Sequence, residues 1–221
     1  MFFLPFSIII FILFILLLPV IFLLISADVV GFAFAKLGMS PQLGVAFFLL
    51  SLIGSTINIP VRQKILRDFQ TLEISPLHRF LFGIQPEFFQ KQVLAVNVGG
   101  CILPLILTIF LVLRAPTVPL IVCTAIMILV CKFLAHPTPG IGIAIPAFLP
   151  PLFSALLALL FAGRENAPPV AYVSGVLGVL IGADLLNIKV LEKTGHGIMS
   201  IGGAGVFDGI FLVGILAVLI A

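Results

Sequence analysis

Apolar runs, each close to the length of a membrane crossing, follow one another along almost the whole chain. A helix that crosses a bilayer needs about 20 mostly apolar residues, and all its backbone polar groups must be satisfied within the lipid. The runs are 2–26, Pro41 to about Ile59, Val93–Leu113, Pro116 to about Leu134, a stretch ending near Ala162, Val170 to about Leu186, and about Gly203–Ala221. The expectation is an all-α polytopic membrane protein with about seven transmembrane helices, forming a single transmembrane domain over 1–221. Composition agrees, since 62% of the 221 residues are hydrophobic and 9% are charged, against about 25% charged in an average soluble domain. The first run lacks a basic n-region and is longer than a signal-peptide core, so it reads as a retained span.

The breaks between runs carry the next layer of information. Gly38-Met39-Ser40-Pro41 is a turn and restart, with Ser40 as N-cap and Pro41 at the first helical position. Pro60–Gln92 is the one long polar stretch. Ile65, Leu66, Phe69 and Leu72 recur in it at helical spacing, so part of it reads as an amphipathic surface helix, either a solvated topogenic loop or a partner platform. His136–Pro151 is apolar but crowded with Pro and Gly and cannot be a regular helix throughout. It reads as a partly re-entrant loop before the fifth span. Gly163–Pro169 is a short polar turn. Eight Lys/Arg fall in the loops on the side of 60–92, and three (Lys36, Arg114, Arg164) fall on the other. That bias places the N-terminus in the cytoplasm and the C-terminus outside, in a prokaryotic cell membrane.

On this topology two costly residues share one leaflet. Asp184 ends the sixth run and Asp208 opens the seventh, and a carboxylate in a membrane span is a functional candidate by default. Small residues surround both. Gly178-x-x-x-Gly182 and Gly205-x-x-x-Gly209 have the spacing that lets membrane helices approach closely. Packed against each other, the two helices would bring the carboxylates within a few ångström. Such a pair shares one proton, so one member deprotonates a water while the other polarises a scissile carbonyl. Three other readings stand beside it. Each Asp could cap a helix or pair with Lys189 or Lys193; the pair could relay protons or cations; or, with His136 and His196, it could bind a metal, although no clustered spacing supports this.

Two resemblances bear on the choice. The segments Gly54–Pro60, Pro139–Pro151, Ala171–Asn187 and Ser200–Phe211 resemble a family of uncharacterised archaeal and bacterial membrane proteins, a domain of unknown function. A weaker resemblance is to the presenilin, signal-peptide-peptidase and prepilin-peptidase group of intramembrane aspartyl proteases. Asp184 stands for that group's first aspartate. Asp208, after Gly203-Ala-Gly205-Val-Phe, stands for the second, with two extra residues after the second Gly. Pro146-Ala147-Phe148 is similar to the group's Pro-Ala-Leu motif, although here it precedes the aspartates. The resemblance implies a hydrolase cleaving membrane-embedded peptides, with Asp184 and Asp208 as catalytic residues. Substrate would be held by Pro146, Ala147, Phe148, Leu149 and Gly205, with Asn187 orienting Asp184 or capping its helix. The alternatives are a proton- or cation-coupled transporter or channel using the same pair, and a non-catalytic structural or lipid-binding membrane protein. No cofactor, resident metal or nucleic-acid partner is expected; the partners are membrane lipids and a transmembrane peptide.

The remaining features are quieter. Cys101, Cys123 and Cys131 lie within apolar runs without CxxC spacing and read as small hydrophobes. Asn58 and Asn97 read as interhelical hydrogen-bonding residues, and Tyr172 as an interfacial anchor.

Overall fold

The computed structural model describes residues 24–65, 91–138, 142–190, 198–203 and 209–221. Most of the first apolar run, the amphipathic stretch 66–90, His196, Gly205 and Asp208 lie outside the described residues. The described part is mostly helical. Its helices are α1 (24–36), α2 (Pro41–Gly54), α3 (Leu103–Val112), α4 (Thr117–Leu134), α5 (Leu149–Leu177) and α6 (Gly209–Ile220). Its strands are β1 (Asn58–Ile65), β2 (Lys91–Asn97), β3 (His136–Thr138), β4 (Gly142–Ala144) and β5 (Ile198–Ile201).

The chain divides into two compact units, Met1–Leu49 and Leu50–Ala221. In the first, Gly38 takes a positive φ of 72° at the turn between α1 and α2. Ser40 Oγ accepts from Leu43 N–H at 3.4 Å, which is the N-cap expected there. The two helices then close on Phe34, whose ring packs tilted against Phe47 with centroids 5.5 Å apart and fills the space over Gly44.

The second unit holds a feature that the all-helical expectation lacks. β1 pairs antiparallel with β2, and β2 pairs parallel with β5, giving a three-stranded sheet in the order β1-β2-β5. Residues 60–65 are therefore strand and not surface helix. The third run is likewise strand up to Asn97, then a π-helical turn, Val98–Ile102, and then α3. A run that is apolar on every face does not separate a buried strand from a helix by period. The β-branched and polar residues of Gln92-Val-Leu-Ala-Val-Asn97 favour the strand once a partner exists. The Pro/Gly-rich loop resolves similarly into a β3–β4 hairpin, with His136 opposite Ala144. α5 starts at Leu149, with Pro150 and Pro151 in its first turn, where a missing N–H costs nothing.

α5 is a helical hairpin. Gly163 breaks it with φ 71° and ψ 165°. A Cβ on Gly175 would lie 3.0 Å from Ser154 Oγ, so residues 21 apart in sequence are side by side. The arms before and after Gly163 are the fifth and sixth runs, with the turn starting where the sequence indicates it. The second arm runs parallel to α4, since Gly178 meets Met127 while Gly182 meets Ile128 and Cys131. It runs antiparallel to α6: Asp184 at the arm's far end binds Gly202, which precedes α6 in the chain, while Gly175 further back meets Val213 and Gly214 meets Tyr172 and Val176. The Arg114 turn and Gly163 therefore lie at one end of the bundle. The β3–β4 hairpin, Asp184 and the start of α6 lie at the other.

Two helical stretches, Thr117–Leu134 and Leu149–Val190, are long and apolar enough to cross a membrane by length and composition. Seven such helices are not present among the described residues. Pro41–Gly54, Val98–Val112 and Ile210–Ile220 are shorter, and in the first two strand and turn use part of the run. The outward faces are apolar, with Val118, Ile121, Leu129 and Phe133 exposed along α4. Arg114 lies 4.1 Å over the Phe110 ring at the end of α3, an aromatic–cation pair worth about 0.5–1 kcal/mol when exposed.

Candidate functional site at the Asp184 strand exit

The site begins with the way the second arm of α5 reaches Asp184. From Gly178 to Asp184 the helix widens into a π-helical stretch, then tightens into a 3-10 turn, Leu185–Asn187. Gly178 and Gly182 let α4 approach this stretch closely. A Cβ on Gly178 would sit 2.7 Å from Met127 Cβ, and one on Gly182 would press on the Ile128 carbonyl oxygen. The small-residue spacing is thus used against α4, not against the seventh run as expected. The same spacing rule fits any close neighbour, and α6 instead uses Gly214, over the Tyr172 ring. Gly182→Val is expected to lower stability by about 2 kcal/mol, as overpacking against fixed backbone does. Thermal unfolding in detergent checks this.

Asp184 sits where the helix ends. Its Oδ2 accepts the backbone N–H of Gly202 at 3.0 Å. Among the described residues it has no cationic partner, so pairing with Lys189 is not its role here. Gly202 and Gly203 both take positive φ, 83° and 92°. A Cβ on Gly202 would fall 2.6 Å from Cys101 Cβ. The chain leaving β5 therefore turns sharply between the π-helical turn at Gly100–Cys101 and the Asp184 carboxylate. Gly202→Ala combines the left-handed penalty with that contact, and a loss of about 2 kcal/mol is expected by the same unfolding measurement.

Asn97, fully buried, ties this exit to the rest of the sheet. Its Oδ1 accepts Gly100 N–H at 2.8 Å and caps the π-helical turn. Its Nδ2 donates to Ser55 O at 2.7 Å and to Asn58 Oδ1 at 3.1 Å. Ser200 Oγ donates to the same Asn58 oxygen at 2.6 Å, so the Asn58 side chain bridges two strands, β2 and β5. Ser51 Oγ donates to Gly99 O at 2.6 Å. Gly99 must be glycine, because a Cβ there would overlap Ser51 O and Ser55 N. The two parallel strands leave the sheet alike. In register, Val96 faces Ile201, and each strand runs into a glycine pair and then a helix.

Of the residues singled out in the sequence, Asp184 is in the site. Asn187 does not orient it; Nδ2 donates to Ala183 O at 2.8 Å and Gly182 O at 3.3 Å, closing carbonyls that the helix end leaves open. Pro146, Ala147 and Phe148 are exposed ahead of α5, and Leu149 is half-buried as its first residue. None of the four is hydrogen-bonded to Asp184, whose carboxylate meets Gly202 instead. Asp208 and Gly205 lie outside the described residues. Tyr172 is fully buried against α6 and is not an interfacial anchor. Asn58, Asn97 and Ser200 carry the polar architecture, and only the two asparagines drew attention in the sequence. Among the described residues no group of three or more His, Cys, Asp or Glu is placed to hold a metal ion.

Residues 52–220 match the model of a family described as Protein of unknown function (DUF1614). No curated protein matches the chain, and no solved structure matches it.

Proposed function

The chain belongs to the DUF1614 family, and we propose that it is a multi-pass membrane hydrolase that cleaves membrane-embedded peptides with Asp184 and Asp208. One observation carries the reading. The Asp184 carboxylate holds the strand exit at Gly202, six residues before Asp208, at the end of the bundle where α6 begins. Two carboxyl groups sharing a proton there divide the work. The ionised one takes a proton from water as the oxygen adds to the scissile carbonyl carbon. The protonated one donates to the carbonyl oxygen. Collapse of the tetrahedral adduct breaks the C–N bond, and the amine leaves with the proton the base took up. The apolar outer faces of α4 and α5 meet lipid, and the Asp184 end faces the cytoplasm on the charge bias.

The test is cleavage of an apolar transmembrane peptide by the full chain in lipid nanodiscs, with Asp184→Asn and Asp208→Asn alongside. Both variants keep an oxygen acceptor, so the Gly202 N–H stays satisfied in Asp184→Asn. Products from wild type alone support the hydrolase; products from neither wild type nor variants end it. A second reading, ion-coupled transport, draws on helices interrupted by strand and π-helical turns beside a carboxylate, since broken helices frame coupling sites in transporters. It requires Asp184-dependent cation or proton flux in liposomes and no peptide products.

A further inference from the structure

The orientation of the Asn58 amide is fixed by an unambiguous donor. Gly100 N–H can only donate, so the atom of Asn97 that faces it is Oδ1. Asn97 Nδ2 is then the atom that faces Ser55 O and Asn58. The atom of Asn58 that receives it must be Oδ1, and Ser200 Oγ donates to that same oxygen. Both lone-pair sites of Asn58 Oδ1 are thereby engaged. The Asn58 Nδ2 group is left on the side away from Asn97 and Ser200, with no partner among the described residues. Asn58 is half-buried. It begins β1 at the end of the sheet where β5 leaves for Gly202, and Ser200 is two residues before the glycine bound to Asp184.

We infer that Asn58 is a substrate-positioning residue, whose Nδ2 donates to a backbone carbonyl oxygen of an unwound peptide segment lying beside the β5 exit. The inference rests on the hydrolase reading for its ligand class. An amide held by two donors on its oxygen has no rotamer or flip left to lose on binding, so its N–H groups are pre-oriented. An unwound segment brought to membrane depth must have its carbonyls satisfied by protein groups, and Nδ2 supplies such a donor at the end of the sheet from which β5 leaves for Gly202.

Asn58→Asp separates this role from a structural one. The carboxylate oxygen still accepts from Asn97 and Ser200, while both donors are removed. In the Asp208→Asn chain, which binds without turnover, a fluorescent 20-residue Leu/Val transmembrane peptide in nanodiscs is titrated with and without Asn58→Asp. Loss of one neutral hydrogen bond is expected to raise Kd about three- to tenfold, with the thermal midpoint unchanged. An equal Kd, or no saturable binding by the parent, overturns the inference. If Asn58→Asp does not fold, the side-chain amide proton resonance of Asn58 in the Asp208→Asn chain decides. A shift on peptide addition supports the role, and an unmoved resonance overturns it. Failure of the hydrolase reading is seen separately, as a wild-type chain that binds the peptide and releases no products.

Discussion

Asp208→Asn is expected to lower the rate of peptide cleavage by about 10²–10⁴-fold while leaving the fold intact. The size follows from removing a positioned acid or base. The intact fold follows from the near-identical size and shape of the two side chains, and Asn also serves at a helix N-cap as well as Asp does. A residue whose only task is capping would therefore tolerate this substitution. Product formation and the thermal midpoint, read on the same nanodisc sample, separate the two roles. Asp184→Asn is expected to behave alike, because its amide oxygen still accepts Gly202 N–H.

Asn97→Ala is expected to cost about 4 kcal/mol, the largest stability loss of any single change in the sheet. Two buried partners, Gly100 N–H and the Ser55 carbonyl, lose their bond at once, and the half-buried Asn58 Oδ1 keeps only the bond from Ser200 Oγ. Each buried polar group left unsatisfied costs about 1–3 kcal/mol, and the N-cap loss is part of that sum. Denaturation in mild detergent checks it. Asn97→Asp makes the measurement specific, because it restores the cap to Gly100 but cannot donate to Ser55 or Asn58. It is expected to fall between wild type and alanine. Equal stability of all three chains would mean that the polar lattice does not hold the sheet together.

Much of the helical framework is legible in the sequence because its signals are local. Ser40-Pro41 starts α2, and Gly163 ends one arm of α5, as capping and φ requirements dictate. The sheet is not legible, because its evidence is not local. Lys91–Asn97 finds its partners at Asn58–Ile65 and Ile198–Ile201, and within a continuous apolar run nothing in the period marks where strand gives way to helix. The Gly178–Gly182 spacing shows that a neighbour comes close but not which one, and α4 takes that place. Tyr172, near the start of the sixth run, reads as an interfacial anchor by type and place, whereas Gly214 opens a site for its ring inside the bundle. For the candidate site, the cost of a carboxylate in an apolar run singled out Asp184. The bond to Gly202, and the asparagines that fix the strand exit, depend on pairings far apart in sequence.

The separation of the Asp184 and Asp208 carboxyl groups, measured in a high-resolution structure of the protein in lipid, tests the central claim most directly. A shared-proton pair predicts carboxyl oxygens within about 7 Å of each other, facing a common wet space, since only at such range do two carboxyls couple strongly. Carboxyls more than about 10 Å apart, or directed to different faces of the bundle, would contradict the pair. Asp184 would then remain as the residue that fastens the β5 exit, and the hydrolase would be lost.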